Sequence, residues 1–120
     1  MTEALARPTP RIDHPDELER MVRQIVERVD PVAIYLFGSR ARGDAHEDSD
    51  YDLLIVVGDG FPEGRANVHT AFHAVEGRRI PMDVAMVRAT RFRERAPKVG
   101  TLSHEILKDG VLLHGHEHRP

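Results

Sequence analysis

The sequence predicts an α/β domain, a small mixed β-sheet with flanking helices. Two apolar, β-branched runs, Val32 to Phe37 and Asp52 to Val57, read as strands. The segment joining them is shorter than a parallel crossover with its helix normally takes, so they should run antiparallel. Val68, Ala71, Phe72 and Val75 then repeat at helical spacing, and a third strand follows from Arg79 to Val87. A strand–helix–strand unit makes the second and third strands parallel, with the second central.

Taken in order, residues 1–11 are mixed, carry Pro8 and Pro10, and read as a loose lead-in. Asp13-His14-Pro15-Asp16 reads as a helix start, with a capping carboxylate, an early proline and acids in the first turn. Leu18, Met21, Val22, Ile25, Val26 and Val29 form one apolar stripe, and Glu17, Arg20, Arg23 and Glu27 mark the solvated side. Asp30-Pro31 stops this helix. Gly38-Ser39 closes the first strand, and a short helical turn fits Arg40 to Gly43. Gly58-Asp59-Gly60 ends the second strand. The next helix spans roughly Glu63 to Glu76, and Pro81 falls near the start of the third strand. Thr90 is the expected cap of a short helix through Arg95, stopped by Pro97. Leu102, Ile106 and Leu107 suggest another helix, with Gly110 as its stop. Val111 to Leu113 reads as a small edge strand, and His114 to Pro120 as a polar tail.

Bulk properties narrow the function. The 120 residues fit one domain spanning 1–120. A net charge of −3, from 20 acidic and 17 basic residues, is too balanced for a broad grip on nucleic acid, and no direct DNA binding is expected. The absence of cysteine excludes disulfides and thiolate metal sites. Neither apolar run, Val32 to Phe37 or Leu53 to Val57, is long enough to span a bilayer, and the N-terminus lacks the order of a secretory signal. A cytoplasmic protein is expected. No internal repeat or low-complexity tract is present.

The chemistry gathers around three aspartates. Asp50 and Asp52 alternate at the head of a strand and so project from one face, roughly 7 Å apart. Paired carboxylates beside an apolar sheet are expensive unless a cation lies between them. Magnesium takes oxygen ligands, commonly one or two carboxylates plus substrate phosphates. Asp83 stands inside the apolar third strand, where a charge needs a partner or a metal. Beside the other two, it completes a set able to hold two divalent ions. Gly38 and Ser39 would offer backbone N–H groups and a hydroxyl to phosphate. Arg40 and Arg42 are candidates for charge-assisted bonds to phosphate oxygens, and spacing does not separate them.

Gly38-Ser39, ten residues, then Asp50-Tyr51-Asp52 and a later strand aspartate resemble the nucleotidyltransferase superfamily shared with the DNA polymerase β palm. The Arg40-Ala-Arg-Gly43 continuation and the chain's size resemble its minimal nucleotidyltransferase (MNT) branch. The resemblance runs from the first helix to the Gly-Val-Leu-Leu-His segment at 110–114. It implies magnesium-dependent transfer of AMP from ATP, with Asp50 and Asp52 as metal ligands, Asp83 as third ligand or base, and Gly38 and Ser39 holding the triphosphate. It also implies a partner: many members of the branch resemble antitoxins that modify a tyrosine hydroxyl on a HEPN-domain ribonuclease toxin.

Other readings stand beside these. The aspartates could be solvated at a strand mouth, Asp83 could pair with Arg79, and Ser39 could simply cap the next turn. Asp44, Glu47 and Asp48 read as solvated loop residues. His69 and His73, and the alternating His114, His116 and His118, have spacings that chelate metals but contexts that favour a surface helix and a tail. Function has two alternatives. One is a binding module that neutralises its partner by contact, through apolar residues around Phe92 or Leu112–Leu113. The other is a small-molecule nucleotidyltransferase of the aminoglycoside-modifying kind. A homo-oligomer is compatible with each.

Overall fold

In the computed structural model, which describes residues 9–116, the two apolar runs pair antiparallel. They form β1 (Ala33–Phe37) and β2 (Tyr51–Val57). β3 (Met82–Arg88) joins β2 in parallel, and β4 (Val111–Gly115) joins β1 antiparallel. The sheet order is β3-β2-β1-β4, the mixed arrangement with β2 inside that the connections imply. The helices are α1 (Pro15–Val29), α2 (Ser39–Arg42), α3 (Val68–Ala74), α4 (Ala89–Arg95) and α5 (Leu102–Asp109).

Strand alternation divides the core in two. Ile34, Leu36, Leu53, Ile55 and Val84 meet the apolar stripe of α1, carried by Leu18, Met21 and Ile25, and the inner side of α3. On the opposite face Tyr35, Leu54 and Val56 meet Phe92 of α4 and Ile106 of α5. The rings of Tyr35 and Phe92 stack with centroids 5.4 Å apart. Phe92 is therefore fully buried, which corrects its expected place in an exposed binding patch. Leu112 is exposed, whereas Leu113 packs against the first core.

Several element ends differ from expectation, each for a local reason. His14, not Asp13, occupies the N-cap of α1, and no side chain caps that helix. α3 is confined to Val68–Ala74 because Asn67 caps it, accepting from the Thr70 N–H at 3.0 Å. β3 starts after Pro81, which has no N–H for the ladder; the Pro81 carbonyl instead accepts from the Tyr51 N–H. Thr90 does not cap α4, and its hydroxyl donates to the Asp59 carboxylate. β4 continues through His114, which pairs with Ile34, so the polar tail begins later than expected. Within the expected lead-in, the Arg11 N–H donates to the Arg40 carbonyl at 2.8 Å. Residues 1–8 and 117–120, including His118, lie outside the described residues.

The buried ring pair gives a direct check on the second core. Phe92→Ala should destabilise the domain by about 3–5 kcal/mol, read as a lower urea midpoint at unchanged slope. A loss below about 1 kcal/mol would show that the α4 face is not packed as described.

Candidate active site

Sheet register sets the site. Asp52 lies in register with Asp83 across the β2–β3 ladder and with Phe37 across the β1–β2 ladder. In-register neighbours share a face, so both carboxylates stand on the α4–α5 side of the sheet. Asp52 is half-buried and Asp83 exposed. Asp50 immediately precedes β2 and is exposed. Tyr51, between the two aspartates, turns to the opposite face, where its hydroxyl accepts from the backbone N–H groups of Asp13 and His14.

The electrostatics match this crowding. The Asp52 carboxyl is pushed up to about 6, first by burial and then by the charges of Asp83 and Asp50, with Arg42 acting in the opposite direction. No arginine offsets Asp83 among the described residues. Arg79 instead donates its backbone N–H to the Glu17 carboxylate at 2.7 Å. A set of hard oxygen donors with only Arg42 to oppose its mutual repulsion suits a divalent cation. Among the described residues no three acidic or histidine side chains close into a ready-made cage. An open pair of this kind suits magnesium, whose remaining positions are taken by phosphate oxygens and water.

Gly38 seats Asp52. Its φ of +75° lies where side chains are rarely tolerated, and a Cβ there would collide with the Asp52 carboxylate. Ser39 then opens α2, a turn whose early N–H groups have no partner within the helix by construction. Arg40 and Arg42 follow two residues apart, and at about 100° per residue they leave this short helix in nearly opposite directions.

Their fates diverge accordingly. Arg42 is exposed, lies near enough to Asp52 to lower its proton affinity, and touches the Asp44 carboxylate only loosely, at 3.4 Å. Arg40 is fully buried. Its guanidinium donates to the Asp13 carboxylate at 2.7 Å and to the backbone carbonyls of Arg11, Glu47 and Ser49. It also lies 4.1 Å from the Tyr51 ring centroid. These bonds hold the Asp13 carboxyl below the usual carboxylate range, the Arg40 bond first among the causes. This corrects the expectation that Arg40 reaches phosphate. It ties down the loop that delivers Asp50, a role with no signature in the local sequence.

The remaining candidates lie apart. Asp44, Glu47 and Asp48 are exposed loop residues. His69 and His73 are exposed on α3, and His114 sits on β4. No helix of the described residues is long and apolar enough to cross a membrane.

A sheet of this order, with a Gly-Ser turn facing strand aspartates, defines a nucleotide-handling class. The Nucleotidyltransferase domain family matches residues 17–113, and the chain belongs to that family. Among solved structures it is similar to a Sulfolobus solfataricus protein that carries a provisional nucleotidyltransferase name. The two are 26% identical, with a TM-score of 0.55, over 83% of this chain and 78% of that one. A toxin–antitoxin structure with AMP-PNP is 18% identical at a TM-score of 0.51, covering 82% of this chain and 74% of that one. A toxin–antitoxin MntA-HpeT variant, with two aspartates two positions apart replaced by glutamate, is 16% identical at a TM-score of 0.50 over the same shares. Both of these show the fold. No curated protein sequence matches the chain.

Two measurements test the site's physics. Arg40→Ala should cost about 3 kcal/mol or more, because it strands buried carbonyls that the guanidinium satisfies. Urea unfolding reads this, and a neutral result would refute the clamp. The second concerns Asp52, whose raised value means that the native state holds a proton that the unfolded chain releases near 3.8. Stability should therefore fall as pH rises from about 4 to about 6, with the penalty persisting above that range. Asp52→Asn should flatten that slope and raise stability near pH 8 by about 1 kcal/mol, a value already reduced for partial exposure. A variant less stable than wild type at that pH would contradict the crowding.

Proposed function

We propose that the chain is a magnesium-dependent nucleotidyltransferase that moves AMP from ATP to a hydroxyl, a tyrosine, on a HEPN-type ribonuclease toxin, and thereby acts as its antitoxin. The observation that carries the catalytic part is the placing of Asp83 in register with Asp52, with Asp50 at the rim. The partner rests on other grounds. It is supported by the MNT-like motif and by the shared fold with the toxin–antitoxin structures, one of which contains AMP-PNP.

In this reading Gly38 and Ser39 bind the triphosphate through backbone N–H groups and the hydroxyl, and Arg42 adds a cationic contact. Asp50, Asp52 and Asp83 would hold magnesium, which when bound neutralises phosphate charge and makes the acceptor hydroxyl more acidic. Asp83, exposed on the edge strand, faces the acceptor and takes its proton as the hydroxyl oxygen attacks the α-phosphorus. The bond to the bridging oxygen breaks and pyrophosphate leaves. Asp52 positions the nucleotide from a seat fixed by Gly38.

The test pairs chemistry with biology. With labelled ATP, magnesium and the product of the neighbouring gene, the wild-type chain should label that partner. An Asp50→Ala/Asp52→Ala double variant should lose at least about a hundredfold in rate, equivalent to about 2.7 kcal/mol of barrier. It should also cease to relieve toxicity. Full neutralisation by the double variant, with no labelling by wild type, would establish contact inhibition instead.

A further inference from the structure

The edge strand that carries Asp83 also borders a recess of about 460 Å³ at its far end. Ala66, Met86 and Val87 give this recess apolar surface, and Arg88, Arg91 and Glu94 give it charge. Met86 and Val87 follow Asp83 along β3 at a distance of about 10 to 13 Å, the rise of an extended chain. One wall is fixed in place. The Arg88 guanidinium donates to the carbonyls of Phe61 at 2.8 Å and Pro62 at 3.2 Å.

The charge beside this recess is unbalanced. Residues 88–98 hold Arg88, Arg91, Arg93, Arg95 and Lys98 against a single acid, Glu94. Arg91 and Arg95 stand one turn apart on α4, so they share a side of the helix, and both are exposed. Lys98 is exposed just beyond the helix. The side chains of these three make no ion pair or hydrogen bond among the described residues. Arg20, Arg23 and Arg28 of α1, in contrast, each meet a carboxylate. Phe92 anchors α4 to the same sheet face as Asp52 and Asp83, so the unpaired cations flank the catalytic face. In a chain of net charge −3, such a local excess marks a surface that meets negative charge.

We infer that this recess and the cations beside it dock an acidic, extended segment of the acceptor protein, away from the hydroxyl that reacts. The inference rests on the nucleotidyltransferase reading above and adds where the acceptor is held. A protein whose hydroxyl reaches Asp83 lays its neighbouring surface along the same edge, towards the recess. Apolar side chains of the segment fill the recess, and its carboxylates meet Arg91, Arg95 and Lys98. Nucleic acid fits less well. The lining offers no aromatic face to a base, Phe92 being buried, and Glu94 and Asp83 repel a phosphate backbone.

Labelling kinetics of the neighbouring gene product, with the full chain, ATP and magnesium, test this. Arg91→Glu/Arg95→Glu should raise KM for that protein about tenfold or more. It should leave kcat and the KM for ATP unchanged, because docking far from the reacting atoms is uniform binding. Added salt should raise KM more for wild type than for the double variant. Glu94→Lys removes the one carboxylate of the segment and should lower KM about threefold, a gain that misfolding cannot produce. Arg23→Glu, the same reversal at an exposed residue of α1, should leave KM within about twofold. An unchanged KM in the double variant, or an equal rise in Arg23→Glu, overturns the docking site and leaves the transferase reading standing. So does tight binding of a short single-stranded RNA that the double variant loses while its labelling of the protein is unaltered. No labelling by wild type overturns the transferase reading and the docking role that rests on it.

Discussion

The parallel pairing of β2 with β3 puts two carboxylates side by side, and much of the domain is arranged around that repulsion. Neighbouring strands lie about 4.8 Å apart, so Asp52 and Asp83 have little room to avoid each other. Partial burial of Asp52 sharpens the conflict, and Asp50 adds to it. A sheet selected for stability alone would place an apolar residue or a lysine at one of these positions. Here the crowding persists because the two apolar faces around Leu54 and Ile55 hold the strands in register regardless. Such strain is typical of sites that wait for a charged ligand.

The counterpart is a cation sealed inside the protein. Arg40 and Arg42 occupy one short helix, yet the first is enclosed and the second exposed. Two residues of helical twist account for the split. The enclosed guanidinium gathers carbonyls from residues 11, 47 and 49 and the Asp13 carboxylate, and stacks over Tyr51. Buried arginine is tolerated only with this degree of satisfaction. The consequence is local rigidity: the loop entering β2 is held at both 47 and 49, directly before Asp50. The Tyr51 hydroxyl binds the chain ahead of α1, so the start of the helix and the start of the acidic strand are fixed together.

The framework was largely readable from the chain, and for clear reasons. Strands β1 and β2 are apolar runs, and the lengths of the connecting segments determine their relative directions. The α1 stripe at Leu18, Met21 and Ile25 follows helical period, and those residues are its buried set. The placing of Asp83 beside Asp52 follows once β3 is parallel to β2. What escaped reading depended on contacts between distant segments. Nothing near Arg40 announces burial, because its partners come from residues 11 and 13 as well as from the following loop. Phe92 looked available for a partner because a short charged helix hides which side faces the sheet. Asn67 was a readable cap, since Asn with helical spacing beyond it is a start signal, and it places the α3 boundary better than the apolar pattern does.

The two sides of the site are unlike, and this bears on what each receives. Towards β1 the Gly38 turn leads into a recess with walls, suited to a small molecule held in one orientation. Towards β3 the Asp83 carboxylate is exposed on the first turn of an edge strand. A small acceptor gains orientation only from surfaces that enclose it, and the Asp83 side chain stands exposed. A macromolecular acceptor needs no enclosure, because its own bulk excludes water and docking fixes the hydroxyl. Under the proposed function, this difference accords with an acceptor carried on a partner protein that approaches from the Asp83 side.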